Sequence, residues 1–87
     1  MRIDKYLKVA RILKKRTVGK ELALNDRLLI NGRHAKASSE VKPGDVITIE
    51  FGHRTFKARV LEVRDNASKQ DALGMYEVIE ESKTNEV

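Results

Sequence analysis

Residues 11–36, RILKKRTVGKELALNDRLLINGRHAK, contain three local signals that together predict how the chain folds. The first is a basic run at residues 14–16. The second is Thr17, a residue type that often caps a helix N-terminus through its hydroxyl group. The third is the dipeptide Asn31-Gly32 between short apolar runs, which is the strongest two-residue signal for a β-hairpin. The stretch therefore predicts a cationic turn, a short helix and a tight hairpin close together in space.

Two helices are predicted around the basic run. The first covers residues 3–13, because its apolar residues recur with the period of a helix face; they are Ile3, Tyr6, Leu7, Ala10 and Leu13. The second runs from Val18 to about Asn25 and buries Val18 and Leu22. Asn25 and Asp26 should end it, since both residue types tolerate the left-handed conformation found at helix exits.

The remaining residues predict antiparallel strands, which places the chain in the α+β class. Short strands at 28–30 and 33–35 flank the hairpin turn, and a Pro-Gly-Asp turn precedes a strand from Val46 to Phe51. After a Gly-His turn, Phe56, Ala58 and Val60 share one face of a return strand. A bulge is expected near Val60 and Leu61, where the apolar phase switches. Beyond it we expect a helical turn within 65–72, a short element at 75–79 and a frayed end at 83–87.

Charge is divided unevenly along the chain, whose net charge is +5. Residues 1–36 hold 11 Lys and Arg against 3 Asp and Glu, whereas residues 37–87 hold 7 against 10. Such segregation favours binding of a polyanion, although a basic helix can also be a solvated face. Zero Cys fits a reducing cytoplasm, and the sequence shows neither a membrane-length apolar run nor the apolar h-region expected of a signal peptide.

No pattern in the chain favours catalysis. His34 and His53 have no carboxylate at ligand spacing, and the five glycines form no phosphate-cradling loop. We therefore expect no enzyme activity, no metal and no cofactor. Only two Tyr and two Phe are present, and Tyr6 is expected in the core, so few side chains can stack on bases. Recognition of folded RNA through its shape and phosphates is favoured over single-strand readout.

Arg16 is the strongest candidate contact, because it lies where the basic run meets a helix start and can make a forked bond to phosphate. Its truncation is expected to remove no core contact. The alternative is that Arg16 pairs with Asp4 and braces the two helices. Other candidate cations are Arg2, Arg11, Lys14, Lys15, Lys20 and Lys36.

Four motifs, taken in order, resemble the S-four RNA-binding domain, also called the alpha-L motif; they are R-x-D-K-Y-L, K-K-R-T, I-N-G-R-x-A-K and S-S-x-V-K-P-G-D, within residues 2–51. The resemblance implies two N-terminal antiparallel helices packed on a small bent antiparallel sheet, with RNA on the face of the helices and the hairpin. We expect this domain at 1–64 and a short C-terminal extension at 65–87. The resemblance also implies that Lys5 and Thr17 contact RNA. Asp26 departs from the pattern, which usually has Gly there, but the fold is expected to survive.

Among single-domain members, the chain is similar to small bacterial ribosome-quality-control factors related to heat-shock protein fifteen. This implies a monomer that binds rRNA and tRNA on large ribosomal subunits obstructed by peptidyl-tRNA. There it would support alanine tailing of the stalled chain by the factor RqcH, in the cytoplasm and without a membrane partner.

Three alternatives stay open on sequence grounds. The protein could act like heat-shock protein fifteen and bind free subunits without tailing, although that branch carries a longer basic C-terminal extension and this chain is acidic after Tyr76. It could be a targeting module for an RNA-modifying enzyme. It could also be a DNA-binding helix-turn-helix, although residues 18–24 offer few side chains that read bases.

Overall fold

Residues 1–83, the part of the chain that the computed structural model describes, form three helices and five strands. In chain order they are α1 (Ile3–Val9), α2 (Arg16–Leu24), β1 (Leu28–Ile30), β2 (Arg33–His34), β3 (Val46–Phe51), β4 (Arg54–Val60), α3 (Lys69–Leu73) and β5 (Tyr76–Lys83). Within this part of the chain the strands pair antiparallel, in the order β2-β1-β3-β4-β5. The predicted α+β class, with N-terminal helices and a small antiparallel sheet, is confirmed.

A single hydrophobic core joins α1 to the sheet. Its largest fully buried apolar side chains are Tyr6, Ile3, Leu7, Leu28, Ile47, Ile49, Met75 and Val60. The Tyr6 hydroxyl donates a buried 2.7 Å hydrogen bond to the carbonyl of Met75, which ties α1 to the residue before β5. Burial raises the pKa of the Tyr6 hydroxyl far above its ordinary value, so the donor keeps its proton. The prediction that Tyr6 belongs to the core is confirmed.

α1 ends before the predicted limit of 3–13, because the chain leaves helical geometry at Arg11, whose φ is +61°. The Arg11 N–H bonds to the Lys8 carbonyl and the Ile12 N–H to the Leu7 carbonyl, both at 3.0 Å. These two bonds form a Schellman motif, which satisfies the last carbonyls of a helix around one left-handed residue. The apolar period extended the prediction too far because side chains in the turn that follows are buried as well.

α2 begins earlier than predicted. Lys15 occupies the N-cap position without a side-chain capping bond, and Arg16 is the first helical residue. Thr17 therefore lies inside the first turn, and its prediction as the cap is wrong. Of the two α2 residues predicted to be buried, Leu22 is buried as expected but Val18 is exposed.

The end of α2 confirms the prediction at Asn25 and Asp26. Asn25 is the C-cap residue, and Asp26 is left-handed with a φ of +57°. The Asp26 N–H bonds to the Ala23 carbonyl at 3.2 Å and the Arg27 N–H to the Leu22 carbonyl at 2.8 Å, which makes a second Schellman motif. Aspartate thus takes the backbone conformation that the family pattern usually gives to glycine.

The hairpin turn at Asn31-Gly32 is confirmed, with φ values of +52° and +83°. Positive φ at both central residues is typical of the type I′ turn, which matches the twist of the flanking strands. The Asn31 side chain accepts a 2.9 Å bond from the Val46 N–H and donates a 3.1 Å bond to Asp45. The hairpin is therefore fastened to the Pro-Gly-Asp turn that precedes β3. β2 is one residue shorter than predicted.

Gly32→Val is expected to lower the free energy of unfolding by about 1–2 kcal/mol. No other heavy atom lies within 4 Å of a Cβ built at this position, so the cost comes from backbone strain and not from a clash. Gly32→Asn is the matched control, because asparagine tolerates positive φ and should keep most of the stability. Urea unfolding of the three proteins checks this. Equal stability of the valine variant would contradict the assigned turn.

The C-terminal residues add a helix and a full strand. α3 overlaps the helical turn predicted within 65–72 and is capped by the Ser68 hydroxyl. β5 is longer than the short element expected at 75–79 and pairs with β4. Most of the frayed end expected at 83–87 lies outside the described residues. None of the helices in residues 1–83 is long and apolar enough to span a membrane.

The sheet irregularity lies elsewhere than predicted. The register between β4 and β5 shifts between Lys57 and Ala58, not near Val60 and Leu61. The apolar phase changes at Leu61 because β4 ends at Val60, after which Leu61 is largely exposed. A change of phase in the sequence thus marked a strand end, and the predicted bulge position is wrong.

Candidate RNA-binding surface

Asp4 lies in the first turn of α1, with its side chain completely buried beneath two arginines. Arg2 donates to both carboxylate oxygens, from Nε at 3.2 Å and from Nη2 at 3.1 Å. Arg16 donates from Nη2 to Oδ1 at 3.1 Å, and the Lys5 N–H bonds to the same oxygen at 2.8 Å. The side chains of Arg2 and Arg16 remain 47% and 39% exposed. Arg2, Asp4 and Arg16, called here the Asp4 cluster, therefore hold two cations side by side at the surface.

Close packing of α1 against α2 brings these residues together. Gly19 of α2 faces α1, and a Cβ added there would lie 3.6 Å from both the Asp4 Cα and the Leu13 Cδ1. A Cβ at that distance would make ordinary van der Waals contact, so the two helices are close-packed at Gly19 without needing a missing side chain. This packing places Arg16, at the start of α2, within reach of the carboxylate on α1.

Two opposing effects set the pKa of Asp4. Burial acts to raise it, but hydrogen bonds from Arg16, the Lys5 N–H and Arg2 outweigh burial, so the pKa lies below its ordinary value of 3.8. The carboxylate is therefore ionised at neutral pH. It offsets one of the two arginine charges, which reduces their mutual repulsion and leaves the cluster with a net positive charge.

The structure shows that the alternative expected for Arg16, pairing with Asp4, does occur. Arg16 thereby links the helices, so the expectation that its truncation removes no internal contact is wrong. The signal was present in the sequence, since Asp4 is the only acidic residue within residues 1–20. Pairing does not withdraw Arg16 from the surface, because more than a third of its side chain stays accessible.

Three of the predicted cations line one groove beside α2, called here the α2 groove. Its lining residues are Arg2, Lys20, Ala23, Leu24, Lys36, Ala37 and Ser38. Its apolar lining includes Leu24, which is 84% exposed, and the three cations come from before α1, from α2 and from the segment after β2. The resemblance-based expectation that helices and hairpin share a face is consistent with this grouping.

Two other predicted cations line a second groove, beside the end of α1 and called here the α1 groove. Arg11 and Lys14 meet Lys8, Lys69, Asp65 and Asn66 there. Lys5 is directed toward the same region and pairs with Asp65 at 3.2 Å. The sequence did not indicate Lys8 or Lys69 as RNA contacts. Lys69 lies far along the chain from the basic run, and no local pattern shows that it lines the same groove as Lys14.

The last two predicted residues, Lys15 and Thr17, are exposed at the N-terminus of α2. No acidic residue lies in the first turn of α2, so the positive end of its dipole is not neutralised from within that turn. Among the described residues, no group of three or more His, Cys, Asp or Glu side chains is arranged to hold a metal ion.

Arg11→Gly is expected to raise the free energy of unfolding by about 0.5–1 kcal/mol, because glycine relieves the left-handed strain at this position. The same change should weaken RNA binding about 2- to 5-fold, the effect of one exposed charge. Urea unfolding and RNA titration at low salt measure the two effects. Asp26→Gly is the matched control, since it relieves the same strain and should not weaken binding. Unaltered RNA binding by Arg11→Gly would show that Arg11 is not part of the RNA-binding surface.

Comparison with known proteins identifies the family. The S4 (S-four) domain matches residues 1–47. The chain is 48% identical over 86 residues to the RQC P-site tRNA stabilizing factor of Bacillus subtilis strain 168, covering 99% of this chain and 100% of that protein. It is 49% identical over 86 residues to the protein of the same name in Streptococcus pneumoniae, covering 99% and 98%. The trimeric structure of Vibrio cholerae heat shock protein 15 matches with a TM-score of 0.81 at 28% identity, covering 90% of this chain and 80% of that one. The resemblance indicated by the motifs is confirmed: the chain belongs to the S4-domain family of RQC P-site tRNA stabilizing factors.

Proposed function

We propose that this protein binds rRNA and tRNA on large ribosomal subunits obstructed by peptidyl-tRNA. Its relatives are named as stabilizing factors for P-site tRNA, which supports a tRNA ligand. The observation that carries the proposal is the Asp4 cluster, in which a buried carboxylate fixes two partly exposed arginines. Guanidinium groups oriented in advance bind phosphate with less loss of side-chain entropy than freely moving lysines do.

The proposed contact surface contains the nine residues that the sequence indicated. They are Arg2, Lys5, Arg11, Lys14, Lys15, Arg16, Thr17, Lys20 and Lys36. The Asp4 cluster and the α2 groove share Arg2, which supports a continuous cationic surface across the two helices and the hairpin. Its role requires binding and positioning of RNA and no catalytic step.

Sedimentation tests the ligand. The protein is mixed with purified large subunits that either carry or lack peptidyl-tRNA. Each mixture is separated on a density gradient, and the fractions are tested for the protein. We expect the protein to travel with the subunits carrying peptidyl-tRNA. Recovery only at the top of both gradients would refute the proposal.

We further propose that the bound protein supports RqcH-driven alanine tailing of the stalled chain. A second candidate role is binding of free large subunits without tailing, the alternative that the sequence resemblance to heat-shock protein fifteen left open. A tailing assay in an extract depleted of the protein separates the two roles. Restoration of alanine tails by the added protein supports the first, whereas subunit binding without restored tails supports the second.

We also propose that the free protein is a monomer and that it acts in the cytoplasm. A small RNA-binding domain can act alone on a ribosome in the cytoplasm, although heat shock protein 15 was crystallised as a trimer. Sedimentation equilibrium of the free protein at micromolar concentration gives its oligomeric state. A trimer mass would overturn the monomer.

Affinity for RNA is expected to fall with salt along a log–log slope of about −4 to −7, because roughly five to eight cations should displace counterions from phosphates. Titrations of a labelled structured RNA at several monovalent salt concentrations measure the slope. A slope near zero would show that these cations do not meet phosphates.

A further inference from the structure

Three of the four aromatic side chains in this chain lie in one groove. Phe51, Phe56 and Tyr76 line it together with Arg11, Ile12, Arg54 and Glu81. Its volume is about 360 Å³, within the usual range of small-ligand sites. Counting aromatic residues in the sequence argued against stacking on bases, but the count could not show that three of them converge.

Strand pairing builds this groove. Phe51 pairs with Arg54 across β3 and β4, and Phe56 pairs with Glu81 across β4 and β5. The rings of Phe56 and Tyr76 meet edge to face, with centroids 6.3 Å apart and planes at 67°. Side chains alternate along β3, so Phe51 lies on the same face of the sheet as the buried residues Ile47 and Ile49.

α1 leaves this end of the sheet uncovered. The helix ends at Val9, and in the described part of the chain the N-terminal residues that line the groove are Arg11 and Ile12 of the turn that follows it. Phe51 is 38% exposed as a result, and Phe56 and Tyr76 are half-buried. Ring surface is therefore accessible in a place where the surrounding strands hold the rings in position.

The charge around the groove favours a polyanion. Arg54 pairs with Glu81 at 3.0 Å, so the excess positive charge of the groove rests with Arg11. Arg11 also lines the α1 groove, where Lys8, Lys14 and Lys69 add three more cations and Asp65, which pairs with Lys5, is, among the described residues, the one acidic lining residue. An aromatic site and a cationic track that share one arginine match the two parts of a single-stranded nucleic acid, its bases and its phosphates.

We propose that the groove of Phe51, Phe56 and Tyr76 holds an unstacked base of a single-stranded RNA segment whose phosphates lie along the α1 groove. The inference rests on the proposed RNA-binding function and extends it from folded RNA to an adjoining single strand. An apolar peptide is a poorer match, because it would leave unused the cations that line the α1 groove together with Arg11.

Three labelled RNA hairpins of one sequence test this. One ends blunt, one carries a single-stranded extension of about six nucleotides, and one carries an abasic extension with the same number of phosphates. The wild-type protein should bind the base-containing extension about 5-fold or more tightly than the abasic one. A fluorescent adenine analogue in the extension gives a second readout, since its emission is quenched when it stacks.

Variants assign the preference to the groove. Phe51→Ala should abolish the preference for bases and leave affinity for the blunt hairpin unchanged, whereas Phe51→Tyr should keep it. Leu61→Ala is the matched control, because it removes an exposed apolar side chain from outside the groove. Melting temperatures recorded on the same samples show that each variant is folded.

The outcomes separate this inference from the proposed function. Equal affinity of the wild type for base-containing and abasic extensions overturns the inference but leaves RNA binding intact. It would favour a protein segment as the ligand of the groove. An equal loss of preference in Leu61→Ala and Phe51→Ala also overturns it. Failure to bind any of the three hairpins overturns the inference, whereas the proposed function is overturned only by failure to travel with large subunits in the sedimentation test.

Discussion

Asp4→Ala is expected to lower the free energy of unfolding by about 3 kcal/mol at neutral pH. The change removes three charge-assisted hydrogen bonds from Arg2 and Arg16, together with the bond from the Lys5 N–H. The two arginines would then repel each other without a carboxylate between them. The loss falls at the low end of the range for broken buried pairs, because both arginines can reach water. Urea unfolding measures it.

The pH dependence gives an independent check on the same carboxylate. The folded-state pKa of Asp4 is depressed, so its contribution to stability is fully present above the unfolded pKa of about 4. The contribution is lost as the pH falls from about 4 through the folded-state pKa. Asp4→Asn, which keeps the shape but not the charge, should lose less stability than wild type over this interval. Parallel curves for the two proteins would contradict the pairing.

Arg16→Ala is expected to weaken binding to RNA or to large subunits by about 1–3 kcal/mol, or about 5- to 150-fold. A forked contact to phosphate is lost, and the helix junction loses its link to Asp4. The free energy of unfolding should therefore fall as well, by about 1–2 kcal/mol, while Arg2 still holds the carboxylate. Arg16→Lys should recover part of the affinity, because charge returns without the fork.

Arg59→Ala serves as the control for Arg16→Ala. Arg59 pairs with Glu77 in a partly exposed ion pair between β4 and β5, away from the helices, so its removal deletes the same charge without touching the Asp4 cluster. Binding and melting should be measured on the same samples, at a temperature where every variant remains folded. Equal affinity of the Arg16 and Arg59 variants would contradict the role given to Arg16.

Local backbone requirements made parts of the fold predictable. The type I′ hairpin at Asn31-Gly32 and the exit of α2 at Asp26 both need positive φ. Asn, Gly and Asp are residue types that tolerate positive φ, so both features could be predicted. The end of α1 has the same geometry at Arg11, but arginine gives no such signal. The start of α2 was missed for a different reason, because its N-cap, Lys15, makes no side-chain capping bond that a sequence signal could reveal.

The candidate site was predictable where it is local in sequence. Cations of the basic run and the first helix could be read directly from the sequence. The partners that lie far away in sequence could not, because Lys69 and Asp65 meet the α1 groove, and Tyr76 meets Phe51, only in the folded chain. Asp4 was read as a possible partner of Arg16, but its complete burial depends on the approach of two helices.

The hydrogen bond from Tyr6 to Met75 has a consequence for how the protein is made. It joins residues 69 positions apart, so the core closes around almost the whole length of the chain. α1 and α2 are close in sequence and can meet early, but contacts of such high sequence separation form late because loop-closure entropy opposes them. A nascent chain emerging from the ribosome would thus display its basic residues before residue 75 is available to close the core beneath them. Refolding should be limited by that closure and not by formation of the helices.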